Sequence, residues 1–254
     1  MKHILIVLIS AICYTAAAFA GVDSADSAYS QKRYQDAIRL YEPQFEQGTS
    51  SELYYNLGCC HYKMQDVPKA ILCFERALML DPSNDDARAN LSFVRKKSKI
   101  EESAPGSFVS NVLKSSVGKL SSNAWALIAA GVFVLILLAI AAYIFLNSIM
   151  WRKVGFFSAG VLLLVFAATI ACAFYQRSVV LSHSQAIVMK ADAILSTAPH
   201  APSEKEEAYK LKAGIKVNIV DSVNTNPEKK EIWYKVEAPA KQEAWISGAD
   251  IEKI

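Results

Sequence analysis

The chain has 254 residues, a formal net charge of +3 and 53% hydrophobic residues. A balance this close to neutral, without a concentrated Lys/Arg stripe, excludes nucleic acid as the expected partner. The hydrophobic excess lies in three blocks, and removing them leaves two polar segments of domain size.

The first block is the N-terminus. Lys2 and His3 precede a largely apolar stretch from Ile4 to Thr15, and in Ala18-Phe19-Ala20 the two alanines supply small residues at the two positions a signal peptidase reads. Residues 1–20 are therefore expected to be a signal peptide, cleaved before Gly21. The apolar core is too short, and too soon followed by Asp23 and Asp26, for a stable span. Ile12 stands before Cys13 where a lipoprotein has a small residue, which disfavours lipid attachment.

Residues 21–100 carry helical periodicity. Within 51–84, Leu57 and Gly58 follow Tyr54, then Ala70, Phe74 and Ala77 recur on a second helix, and Pro82 closes it. This segment resembles the tetratricopeptide repeat, with His61 where that family has Tyr. Gly58 and Ala70 let paired helices approach closely, while Phe74 and Ala77 alternate large with small. Upstream, Tyr34, Ala37, Ile38, Leu40 and Tyr41 match the second helix of a preceding repeat, whose first helix over residues 22–32 is degenerate. Downstream, residues 85–99 begin as another first helix and turn basic at Arg95, Lys96 and Lys97, the profile of a polar cap. About five helices are expected.

Stacked repeats form a concave groove lined by the first helix of each pair. Here that face is expected to show Glu52, Tyr55, Asn56, Cys59, Tyr62 and Lys63, with Asn90 equivalent to Asn56 in the next helix. Asparagine and lysine on such a face can hold an extended peptide. Asn56 is equally a common consensus residue at its position. Cys59, Cys60 and Cys73 fit no zinc spacing and pack well between helices; a redox role is the alternative. Adjacent Cys59 and Cys60 on one helix are poorly placed to bond each other.

Residues 101–123 are Ser-rich and contain Pro105 and Gly106. Phe108, Val109, Val112, Leu113, Val117 and Leu120 recur at helical spacing, so either an interfacial helix or a flexible tether is expected. Two apolar spans follow at 124–146 and 155–174. The first would extend ~34 Å as a helix, enough to cross a bilayer core. Trp125, Trp151 and Tyr175 mark the edges, and the loop 147–154 carries Arg152 and Lys153 without an acid, which makes it cytoplasmic by the positive-inside tendency. Neither span contains an ionisable residue of the kind transport pathways need, so they read as an anchor. Gly131, Gly155 and Gly160 could permit close helix packing, though Gly155 and Gly160 miss the usual spacing of small residues.

Residues 185–254 change period to short β-prone runs, including Ile187 to Met189, Ala193 to Leu195, Val217 to Val220, Trp233 to Val236 and Ala244 to Ile246. They resemble a bacterial SH3-like barrel. The resemblance implies binding of cell-wall peptides or protein segments through exposed aromatics, for which Tyr209, Trp233, Tyr234 and Trp245 are candidates. At least one of Trp233 and Trp245 is expected in the core.

The expected fold class is thus a multidomain membrane protein with an α-helical tetratricopeptide array, two transmembrane helices and a small all-β SH3-like barrel. That layout, with Asp85 to Leu91 closing the array, resembles the Bacteroidetes aerotolerance BatE family over essentially the whole chain. The resemblance implies an inner-membrane protein with both terminal domains periplasmic. It also implies work beside von Willebrand A-domain membrane proteins and a MoxR-type ATPase in oxygen tolerance or envelope stress. The favoured reading is a non-enzymatic scaffold; a peptidoglycan-binding sensor and a thiol redox sensor are the alternatives. No cofactor or metal is expected. His3, His61, His183 and His200 stand in no nucleophile–base arrangement, so an enzyme is not expected.

Overall fold

The computed structural model describes residues 24–46, 48–100, 117–182, 184–201, 209–226, 231–237 and 243–254. The expected signal peptide, and the interfacial-helix or tether pattern over residues 101–116, lie outside the described residues. The chain divides into two compact units, one holding the helical array with the strands and the other the two long apolar helices.

The array begins with α1 (residues 24–30) and α2 (Tyr34–Tyr41), followed by a 3-10 turn over Glu42–Glu46. α3 (Ser51–Lys63) and α4 (Val67–Leu80) form the next pair, and α5 (Asp85–Ser98) follows. The helix starts are chemically marked. Ser50 caps α3 by accepting from the Leu53 N–H at 3.0 Å, and Asn84 caps α5 by accepting from Ala87 at 2.9 Å. The Asn84 side chain also donates to Ser51 Oγ at 3.0 Å, tying the start of α5 to the start of α3. The helix ends repeat as well. Lys32, Gln65 and Lys99 adopt left-handed φ values of 62°, 66° and 52° as α1, α3 and α5 finish.

Side-chain size sets the pairing. A Cβ on Gly58 would lie 2.7 Å from the Phe74 ring, which is 1% exposed, so the bare glycine is what lets α3 and α4 close on each other. One core joins Ala25, Ala28, Ala37, Ile38 and Tyr41 to Leu53, Leu57, Cys60 and Cys73. The Tyr41 hydroxyl, buried in that core, donates to Asp26.

The C-terminal segment forms β1 (Gln185–Val188), β2 (Ala193–Leu195), β3 (Tyr209–Leu211), β4 (Lys216–Asn226), β5 (Glu231–Glu237), β6 (Glu243–Ser247) and β7 (Ile251–Lys253). Five strands make an antiparallel sheet in the order β6-β5-β4-β1-β7, and β2 pairs with β3. Backbone bonds between Ser196 and Trp245, at 2.7 and 2.8 Å, link the two-stranded ladder to β6. The inner faces bury Ala186, Val188, Leu195, Leu211, Val217, Val236 and Ile246.

Sequence separation suggests two independent modules, with the apolar spans lying between them in the chain. The structure instead packs the array and the sheet on a shared core. Ile71, Phe74, Leu91, Val94 and Ile100 of the helical side cluster with Ile187 of β1 and with Ile254. Gly214, at φ 89°, leaves room for Ile100 and Ile71, whose methyl groups would lie 2.7 and 3.0 Å from an added Cβ. The contact is also ionic. Glu75 of α4 is buried, takes a charge-assisted bond from Arg95 of α5, and accepts from Lys216 Nζ of β4 at 2.8 Å. Arg76 donates to Glu252 at 3.0 Å and to the Lys253 carbonyl at 2.6 Å. Burial alone would push the Glu75 carboxyl up. The charges of Lys216 and Arg95, with their hydrogen bonds, outweigh it and hold the group below its ordinary range.

In the second unit, α6 (Ser122–Phe145) and α7 (Ile149–Leu181) form a hairpin, and both are long and apolar enough to cross a membrane. The connection differs from the eight-residue loop expected over 147–154. Only residues 146–148 are non-helical, and Arg152 and Lys153 lie within α7, at the end of its first turn and the start of its second. Both residues are good helix formers, so nothing in this stretch stops the helix at the apolar boundary. Gly155 makes the close approach: a Cβ there would stand 2.7 Å from the Ala139 carbonyl oxygen and 2.9 Å from the Tyr143 nitrogen. Gly131 and Gly160 face open space and do not serve this purpose.

Candidate functional site

α3 and α5 lie side by side, and their facing side chains are joined across the array. Asn90 Nδ2 donates to Tyr55 Oη at 3.4 Å and approaches Cys59 Sγ at 3.6 Å. Two turns further, Lys97 Nζ donates to Tyr62 Oη at 2.8 Å. The Tyr62 and Phe93 rings meet edge to face at 5.9 Å, with the Lys97 ammonium over both. Tyr29 of α1 lies near enough to Cys59 and Tyr55 for their charges to act on it. Burial first, then those neighbours, push its hydroxyl up to about 12.

Of the expected groove residues, Tyr55, Tyr62 and Asn90 are thus brought together. Asn56 is half-buried on the same helix, and Glu52 and Lys63 are exposed at its two ends. Phe93, Lys97 and Tyr29 join this face without having been anticipated. Phe93 is 54% exposed, so it offers an apolar surface that the array does not cover.

The cysteines are enclosed. Burial raises the Cys59 thiol and pushes Cys60 and Cys73 up to about 12. At neutral pH all three are thiols, the unreactive form. Among the described residues no group of His, Cys, Asp and Glu could hold a metal ion. His61, half-buried and 3.6 Å from Asp66, is lowered from its ordinary 6.5 by burial, which Asp66 opposes only in part.

On the sheet, Tyr209 is exposed, Trp245 is half-buried, and Tyr234 is half-buried beneath the Lys253 ammonium at 4.7 Å. Trp233 is the one of Trp233 and Trp245 that is buried, as expected of at least one of them, and so does not serve as an exposed binding aromatic. It is 5% exposed, on a strand paired on both sides, opposite Val223 and Ser247, so the ring does not face solvent.

Helix pairs closed by Gly58 against Phe74, capped at the same point in successive units, define an α-helical repeat protein. Residues 51–84 match the family model of the tetratricopeptide repeat, a protein–protein interaction module. No curated protein matches the chain. The 34-residue length of that match exposes a signal in the sequence. A shift of 34 carries Glu52 onto Asp86, Asn56 onto Asn90, Cys59 onto Phe93 and Lys63 onto Lys97. Applied to every groove position, it would have found Phe93 and Lys97.

Proposed function

We propose that the protein is a non-enzymatic, membrane-anchored scaffold whose array holds an extended segment of a partner protein on the face formed by α3 and α5. The observation that carries this reading is the ladder of repeat-equivalent side chains on that face. Acids Glu52 and Asp86 stand at one end, Lys63 and Lys97 at the other, and Tyr55, Asn90, Tyr62 and Phe93 lie between. Amides and hydroxyls suit a peptide backbone, and the charges border the segment's path on its two sides.

In this reading α6 and α7 cross the inner membrane, with Arg152 and Lys153 at the cytoplasmic turn and both array and sheet in the periplasm. The sheet is an SH3-like barrel. The order of parts supports a place in the aerotolerance BatE family, and with it partnership with von Willebrand A-domain membrane proteins and a MoxR-type ATPase.

The two alternatives have less support. Peptidoglycan binding leans on four aromatics, of which Trp233 is in the core and Tyr234 is partly covered. A thiol sensor needs an accessible thiolate, and burial opposes one at Cys59, Cys60 and Cys73.

The test is affinity purification of the full chain from gently crosslinked membranes, beside a Tyr55→Ala, Asn56→Ala, Tyr62→Ala variant. A-domain membrane proteins should co-purify with the wild type and be lost from the variant. Their persistence in the variant would move assembly to the spans or the sheet. Recovery of peptidoglycan or its synthetic enzymes alone would replace the scaffold with the cell-wall reading.

A further inference from the structure

The turn of the helical hairpin holds a cavity of about 340 Å³ lined by Tyr143, Ile149, Arg152, Lys153, Phe156 and Phe157. Its chemistry is divided. Tyr143, Phe156 and Phe157 form a chain of ring contacts, with centroids 6.0 and 5.6 Å apart. Against this aromatic wall stand two cations. The Arg152 guanidinium sits 5.3 Å from the Tyr143 ring centre. No ion pair to Arg152 or Lys153 occurs among the described residues, and no Asp or Glu exists anywhere between Ser103 and Ala191. The positive charge of the turn is therefore uncompensated within its own segment.

The apolar rim points the same way. Ile149, Met150, Phe156 and Phe157 are all more than 60% exposed, beside the two cations. Large apolar side chains so exposed need a non-aqueous neighbour, while the cations beside them need an anion. One molecule meets both demands: a lipid with an anionic phosphate headgroup and acyl chains.

We propose that this cavity binds an anionic phospholipid, with Arg152 and Lys153 on the phosphate and the Tyr143, Phe156 and Phe157 rings against the glycerol and upper acyl chain. The site rests on the reading of α6 and α7 as membrane spans. Basic side chains at a membrane surface attract anionic lipid, and here a pocket adds shape to charge. The cavity holds the turn of the hairpin against the charged leaflet and would make anchoring dependent on lipid composition.

Native mass spectrometry of the full chain in nonionic detergent, with equimolar phosphatidylglycerol and phosphatidylcholine added, tests it. Wild type should carry phosphatidylglycerol in preference by about fivefold or more, the scale expected for one surface cation. Arg152→Gln with Lys153→Gln should reduce the preference to parity. Arg152→Lys with Lys153→Arg should keep it, as should Arg177→Gln at the far end of α7. Parity in wild type, or a preference that survives the double Gln change, overturns the proposal. So does displacement of the lipid by excess inorganic phosphate, which would make this a free-phosphate site. Alkaline carbonate washing of native membranes separates the two readings. Release of the chain would overturn the spans and this site together, whereas retention combined with lipid parity would overturn the site alone.

Discussion

Glu75 is a single carboxylate on which three elements converge. It lies on α4 and meets Arg95 from α5 and Lys216 from β4, in a setting where burial strengthens each interaction and penalises each loss. Glu75→Gln leaves two cations facing a neutral amide, and should cost about 3 kcal/mol in the denaturant unfolding of the full chain. The pH dependence has a defined sign. Glu75 is depressed below its ordinary 4.5, so its contribution is complete above that pH and disappears as pH falls through the lower folded value. His61 is depressed below 6.5, so its contribution is also complete above that point and falls away below it. Acid titration should therefore show two steps of weakening, of which Glu75→Gln removes only the lower. An unchanged acid profile in that variant would mean that the triad does not govern it.

Gly58, Phe74 and Pro82 are recognisable in the sequence because the α3–α4 pair needs a small residue, a large one and a stop at fixed spacing. The pairing was legible for that reason. Gly58→Val should cost about 3 kcal/mol, since the Phe74 ring that the new methyls meet has nowhere to move. A melting curve matching wild type would show that α3 and α4 are not held at this distance. Less was legible in α4 itself. Six consecutive residues, Ala70 to Glu75, are buried, so the helix is covered on every side. Ile71, Leu72, Cys73 and Phe74 announce this, because a helix apolar all round has partners all round. A repeat array supplies α3 and α5 as two of those partners, and the sheet supplies the rest. Nothing local in Ile187 or Ile254 says that they meet a helix more than 100 positions away. The extent of α7 through Arg152 and Lys153 was likewise hidden, because charge marks a membrane boundary but does not end a helix.

For the molecule as a whole, the shared core makes the array and the sheet one cooperative body. Ile187→Ala, a change confined to β1, should cost about 3 kcal/mol. In hydrogen exchange it should lower protection of α4 and β4 together. If α4 keeps its protection while β4 loses it, the two parts fold separately and the common core fails. The same body organises the face formed by α3 and α5. Strand-side residues press on α4 and α5, while in the ladder Tyr55, Asn90 and Tyr62 stay half-buried and Lys97 exposed.

That placement of the sheet also fixes a length. A tetratricopeptide array normally grows by adding units, but here the growing end is occupied by Ile187, Ile254 and the Glu75 ion pairs. Among the described residues three first-position helices, α1, α3 and α5, precede that end, and under the proposed function they extend the binding face across the array. With neighbouring axes about 10 Å apart, that extent is roughly 20 Å. An extended chain advances about 3.3 Å per residue, so some six residues of a partner fit before the rest must overhang. Under the proposed function the described helices act as a ruler of about that measure, reading one short motif in a partner with the sequence beyond it free to vary.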